Sequence, residues 1–158
     1  MPQTKTTLKE LFSEILANLA FMFTDDEESE PSDQDVWLET SVRYLGPNRG
    51  TLVFHCPRRF TRGLAANLLG VDPEAPQVND QSEDAVREFM NILCGQLVTQ
   101  FFGSQDIYNL SIPQCRVLPE VPEFIAARDP NVASLSVDGS RIQLVHLVEG
   151  ETPSPAGA

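Results

Sequence analysis

Between Asp84 and Phe101 the apolar residues Val86, Phe89, Met90, Leu93, Cys94, Leu97, Val98 and Phe101 recur at spacings of three and four. That is the period of a helix buried along one side, sustained over about four turns. Any fold open to this chain must lay that stripe against a surface of comparable length. The pattern predicts a helix from near Gln81 to Phe102, after a polar connection over Asp72 to Asp80. Two shorter stripes accompany it. Leu8, Leu11, Phe12, Ile15, Leu16 and Leu19 predict a helix within Thr7 to Phe23. Phe60, Leu64, Leu68 and Leu69 predict another over Arg58 to Leu69, with Gly70 suited to its left-handed C-terminal cap.

The surface that receives these stripes reads as a sheet. Val36, Leu38, Thr40, Val42 and Tyr44 alternate with Trp37, Glu39, Ser41 and Arg43, the period of a strand. Gly46, Pro47, Asn48 and Gly50 supply turn chemistry before a second strand over Thr51 to Cys56, which Pro57 closes. A later hairpin pairs Val132 to Val137 with Arg141 to Val148 across Asp138-Gly139. Gln114 to Leu118 predicts a short strand that Pro119, Pro122 and Pro130 keep from extending. Trp37 is expected to fill the second face of the sheet. Strands that arrive as hairpins make a mostly antiparallel sheet, so the fold class is α+β, with the sheet packed against long helices. One domain is expected over residues 1–150, with Thr24 to Asp35 as a solvated acidic loop and 151–158 as a disordered tail.

A net charge of −12, from 11 basic and 23 acidic residues, argues against nucleic acid and against anionic membrane surfaces, both of which are held by clustered Lys and Arg. The longest apolar stretch, Leu11 to Phe23, is interrupted by Ser13, Glu14 and Asn18 and is too short to span a bilayer; with no leader or lipidation signal, a cytoplasmic protein is expected. Cys56, Cys94 and Cys115 form no C-x-x-C pair and read as buried thiols in a reducing compartment. His55 and His146 fall on strands without partners at metal-site spacing and read as ordinary strand residues. No nucleophile elbow or phosphate-cradling glycine loop occurs, so no metal or cofactor of its own is expected.

At about 100° per residue, Asp84, Glu88, Asn91 and Gly95 fall within roughly 60° of one another, opposite the middle of the long stripe. A polar helix face is ordinarily only a solvated one. Two choices here are unusual for an idle surface. Asn is a middling helix former, and Gly inside a helix costs about 1 kcal/mol against Ala. Gly95 would leave the backbone bare beside Asn91, where another protein can approach closely.

The run Asp84-x-x-x-Glu88-x-x-Asn91, continuing as Ile92-Leu93-Cys94-Gly95 and followed by Pro113, resembles the signature of the CheC/CheX/FliY phosphatases of bacterial chemotaxis. In that family the pattern is Asp or Ser, three residues, Glu, two residues, Asn, then a proline a little over twenty residues on. Here 21 residues separate Asn91 from Pro113, one fewer than usual. The resemblance runs from the first helix to the closing strands, and only Pro119 to Asp129 has no counterpart.

The resemblance implies hydrolysis of the aspartyl phosphate on a phosphorylated CheY-type receiver domain, with Mg²⁺ supplied by the receiver. Asn91 would hold the attacking water and Glu88 would pair with the receiver's active-site Lys, while Asp84, Gly95 and Pro113 would lie against the partner. No second Glu-x-x-Asn pair occurs. The first helix offers Glu14-x-x-Ala17 and Ile15-x-x-Asn18, and the helix from Arg58 offers Leu64-x-x-Asn67. The chain therefore resembles a single-site, CheX-like member, which implies a homodimer, with the edge of the closing hairpin available to a second copy. The alternative, of a different class, is a module that keeps this scaffold and binds a receiver, flagellar or signalling partner without turnover.

Overall fold

The computed structural model describes residues 6–125 and 128–149. Its elements are α1 (Leu8–Ala20), β1 (Trp37–Leu45), β2 (Arg49–Pro57), α2 (Arg58–Leu69), α3 (Pro76–Phe102), β3 (Asn109–Leu110), β4 (Gln114–Val117), β5 (Val132–Val137) and β6 (Ser140–Glu149). They form the expected α+β fold. One six-stranded sheet has the order β3-β1-β2-β6-β5, with β4 also on β1, and every pairing is antiparallel. The tail expected over 151–158 lies outside the described residues. Among the described residues no helix is long and apolar enough to cross a membrane.

The alternation read in the sequence sets the sheet's two faces. Val42 and Tyr44 of β1, Leu52, Phe54 and Cys56 of β2, and Ile142 and Leu144 of β6 are buried against the helices. Phe54 meets Phe12 of α1 edge-on at 5.7 Å between centroids and Phe89 of α3 at 6.2 Å, so α1, α3 and the sheet converge on one aromatic cluster. α1 begins where the Thr7 side chain accepts the Glu10 N–H, and ends at Phe21 in the left-handed region, with Met22 N–H donating to the Leu16 carbonyl. In the turn between β5 and β6, Asp138 and Gly139 both have positive φ, 50° and 75°, as a two-residue hairpin of the primed type requires.

Trp37 fills the second face, as its pattern predicts. It is buried against Phe124, and its indole N–H donates to the Ser32 carbonyl. The proline-rich segment before residue 125 folds over that face and is pinned by buried Gln143, which accepts the Ile125 N–H and donates to the Glu123 carbonyl.

Three expectations are corrected. α3 starts at Pro76, five residues before Gln81, because Pro is compatible with the first helical turn and because Val78 is buried against Ala65 and Ala66 of α2. The acidic stretch is also not simply solvated. Asp25 N–H donates to the Ser136 carbonyl, Ser29 N–H donates to the Ser136 hydroxyl, and the Asp25 carboxylate accepts both turn N–H groups, Asp138 at 3.1 Å and Gly139 at 2.8 Å. Arg141 adds a bond to the Ser29 carbonyl. Backbone and carboxylate acceptors supply the ordering that the segment's low apolar content cannot. As a consequence, the outer edge of β5 is already occupied at Ser136 and Val137, the latter bridged by Thr24, so that part of the hairpin edge is not open to a second copy.

Candidate functional site

α3 presents two unlike faces. Val86, Phe89, Met90, Leu93, Cys94 and Leu97 are fully buried, and burial pushes the Cys94 thiol up to about 12, so it is no nucleophile. On the other face Glu88 is exposed and Asn91 half-buried, one turn apart. Neither side chain has a hydrogen bond or ion pair among the described residues. A carboxylate and a carboxamide therefore stand side by side with their bonding capacity unspent, backed by a rigid core.

The other motif positions behave differently. Asp84 sits two turns inside α3, which begins at Pro76; its carboxylate accepts from Arg87 at 3.0 Å, and Arg87 also lies 3.7 Å from Glu83. The helix dipole therefore gives no account of Asp84. Gly95 is as open as its place in the pattern predicts: a Cβ built there meets nothing within 4 Å.

Pro113 lies in a bulge at the sheet edge. Tyr44 of β1 pairs with Leu110 and Ser41 with Gln114, so three steps along β1 are matched by four along the partner. The extra residue falls within Ser111 to Pro113, where proline's missing N–H costs no ladder bond. Ser111 holds the bulge by exchanging bonds with the Arg43 backbone. This edge runs beside α3 in the opposite direction. Leu110 lines a cavity with Gly95 and Val98, while Cys115 lies against Glu83 and Arg87, where burial pushes its thiol up. Pro113 lies between them on this edge. Glu88, Asn91 and Gly95 thus share one face of α3, Pro113 lies on the neighbouring strand edge, and Asp84 is paired within its own helix.

The cavity beside Gly95 was not foreseen. It is shallow, of about 230 Å³, and is walled by Gly95, Val98, Thr99, Gly103, Tyr108 and Leu110. Tyr108 stacks on Phe102 at 5.9 Å, which fixes the wall, and the Thr99 hydroxyl donates back to the Gly95 carbonyl. No sequence signal short of the bulge register brings Leu110 to Gly95. A larger open groove of about 630 Å³ runs along the outer side of α1 and draws no residue from α3.

The histidines are structural. His146 Nε2 and the Tyr44 hydroxyl share a 2.8 Å hydrogen bond in the core, and burial lowers the His146 pKa. His55 lies between Glu39 and Gln143. Burial pushes the Glu39 carboxyl up, but bonds from His55 and Arg116 outweigh it and hold the pKa below its ordinary value. Asn67, the half-match in α2, donates to the Ala20 carbonyl and ties two helices together. Among the described residues no group of three His, Cys, Asp or Glu is placed to hold a metal ion.

The family model described as chemotaxis phosphatase CheX matches residues 38–136, more than half of the chain. Among solved structures the chain is similar to chemotaxis protein CheX from Desulfovibrio desulfuricans, at a TM-score of 0.63 and 13% identity over 87% of this chain and 93% of that one. A chain of the CheX–CheY–BeF3–Mg²⁺ complex from Borrelia burgdorferi matches at 0.55 and 15% identity, covering 88% and 93%. FliY from Thermotoga maritima matches at 0.54 and 16%, covering 91% and 85%. At these identities the likeness establishes the fold. No curated protein sequence matches the chain.

Proposed function

Because the chain belongs to the CheX family of chemotaxis phosphatases, we propose that it hydrolyses the aspartyl phosphate of a CheY-type receiver, with Asn91 and Glu88 as the residues that enter the receiver's site. The observation that carries this reading is the pair itself: two polar side chains one turn apart on an outward helix face, neither satisfied among the described residues, beside a backbone left bare at Gly95. The Borrelia complex of the same fold contains CheY with BeF3 and Mg²⁺, which supports a receiver as partner and as the source of the metal. The same reading assigns the chain to the cytoplasm, where receivers act.

An acyl phosphate is a reactive bond, so the catalyst's main task is to hold a water in line with the bond that breaks. The Asn91 carboxamide offers an acceptor for a water proton and a donor for its oxygen without adding negative charge beside the phosphoryl oxygens. Water oxygen bonds to phosphorus and the bond from phosphorus to the aspartyl oxygen breaks. The receiver's carboxylate and inorganic phosphate are left, and the water's surplus proton goes to phosphate or solvent. Glu88 pairs with the receiver's Lys and thereby fixes the height of α3 over the phosphorus. It acts by orientation, not by proton transfer.

The test follows phosphate loss from a phosphorylated receiver with wild type, Glu88→Ala and Asn91→Ala in turn. Wild type should accelerate the loss, Asn91→Ala should abolish the acceleration while still binding, and Glu88→Ala should weaken binding. Unchanged decay of every cognate receiver with wild type present would refute the reading and leave a binding module.

A further inference from the structure

Resting on the receiver-docking reading above, we infer that the half of this face beyond Asn91 is an apolar seat for the same receiver, with Ile112 and Ile107 as its rims and the cavity beside Gly95 as its floor. The face is divided in two along α3. Its N-terminal half carries Glu83, Asp84, Arg87 and Glu88, whereas the cavity that starts at Gly95 has one charged lining residue, Asp106. Next in sequence to lining residues of that sparsely charged half are Ile107, 85% exposed, and, two residues beyond Leu110, Ile112, 84% exposed, the two most exposed large apolar residues among those described.

The bulge accounts for the position of Ile112. Leu110 and Cys115 both pack toward the core on the α3 side of the edge. Two steps on from Leu110 is Ile112 and two back from Cys115 is Pro113, so the inserted residue puts both on the side of α3. Ile112 thus lies on the α3 side of the edge and, 84% exposed, packs little on its own protein.

Distance decides the occupant. A partner that delivers a phosphoryl group to Asn91 with a standard interface covers about 800 Å² of this chain, a disc of roughly 16 Å radius. Gly95 lies about 6 Å along the helix axis from Asn91, and Gly103, where the loop to Ile107 begins, about 18 Å. The near end of the cavity, at Gly95, falls inside the disc, and its far end, at Gly103, lies just beyond it. The centres of such interfaces are depleted in charge, as the floor of this cavity is. The receiver that meets Glu88 and Asn91 therefore presents an apolar side chain to the cavity and packs against Ile112.

Ile112→Asp, Ile107→Asp and the double variant test this, because neither side chain contributes to the core; their thermal midpoints should equal that of wild type. Two readouts are needed: turnover against receiver concentration, and Kd for the organism's CheY-type receivers loaded with beryllofluoride and Mg²⁺. Ile112→Asp should raise KM and Kd about tenfold, as loss of a well-packed apolar contact does. Ile107→Asp should raise them less, and kcat should stay within about twofold. A Kd unchanged in the double variant overturns the seat. So does a double variant that only dissociates a wild-type dimer, because the patch then belongs to a second copy. Wild type that binds the loaded receiver without turnover defeats the phosphatase reading alone, and the ratio of Kd values still decides the seat. Wild type that binds no receiver removes both.

Discussion

Replacing Gly95 should make the protein more stable and less effective. The backbone at Gly95 is helical, an added Cβ meets nothing within 4 Å, and the residue lies well inside the 27-residue α3. Gly95→Ala therefore removes the entropic cost of glycine in a helix and adds no clash, a gain of about 0.5–1 kcal/mol. For a chain of this length that is a rise of roughly 1–4 °C in the unfolding midpoint, measurable by calorimetry. Gly95→Leu should keep most of that gain, because the longer side chain lies over the cavity floor between Val98 and Leu110. On the proposed docking it also fills the space through which a receiver approaches the backbone, so KM for the phosphorylated receiver should rise by about tenfold or more while the midpoint does not fall. A destabilised Gly95→Ala would show that the backbone is not open. An unchanged KM in Gly95→Leu would show that the bare backbone is not where the partner comes close.

Two further predictions concern stability. His146 is held neutral by burial, with its folded pKa below the ordinary 6.5; its contribution is therefore complete above pH 6.5 and is lost as the pH falls from there through the folded value. Denaturant midpoints should drop between pH 7 and pH 5 in wild type and stay flatter in His146→Gln, and equal slopes would refute the assignment. Asp25→Ala, which removes both acceptors from the turn at Asp138 and Gly139, should cost about 1–2 kcal/mol in urea unfolding. An unchanged midpoint would mean that the acidic segment only lies beside β5.

What was legible beforehand follows from periodicity. The stripes of α1, α2 and α3, the alternation of β1 and the Asp-Gly turn each repeat a local rule several times, so the elements and their buried faces could be read with no tertiary information. The clustering of Glu88, Asn91 and Gly95 came from the same helical arithmetic. The start of α3 was hidden because Pro76 to Asp80 has one buried apolar residue, Val78, whose partners are two small alanines on another helix. The acidic segment was misread because composition reports its poverty in apolar side chains and says nothing of backbone bonds to Ser136. Ile112 and Leu110 carried no signal, since their placement depends on one inserted residue in a pairing of distant segments.

The aromatic cluster behind α3 also sets an angle. Phe89 lies between Glu88 and Asn91 in the chain, and its ring is wedged against Phe12 of α1 and Phe54 of β2. The helix cannot roll about its axis without disturbing that contact. With polar groups carried roughly 6 Å from the axis, a roll of about 10° moves them by about 1 Å, enough to cost on the order of a hundredfold where a water must be held in line. On the proposed mechanism Phe12, fully buried and out of reach of any partner, acts as a detent for the aim of Asn91, and repacking it would change the rate without touching the surface.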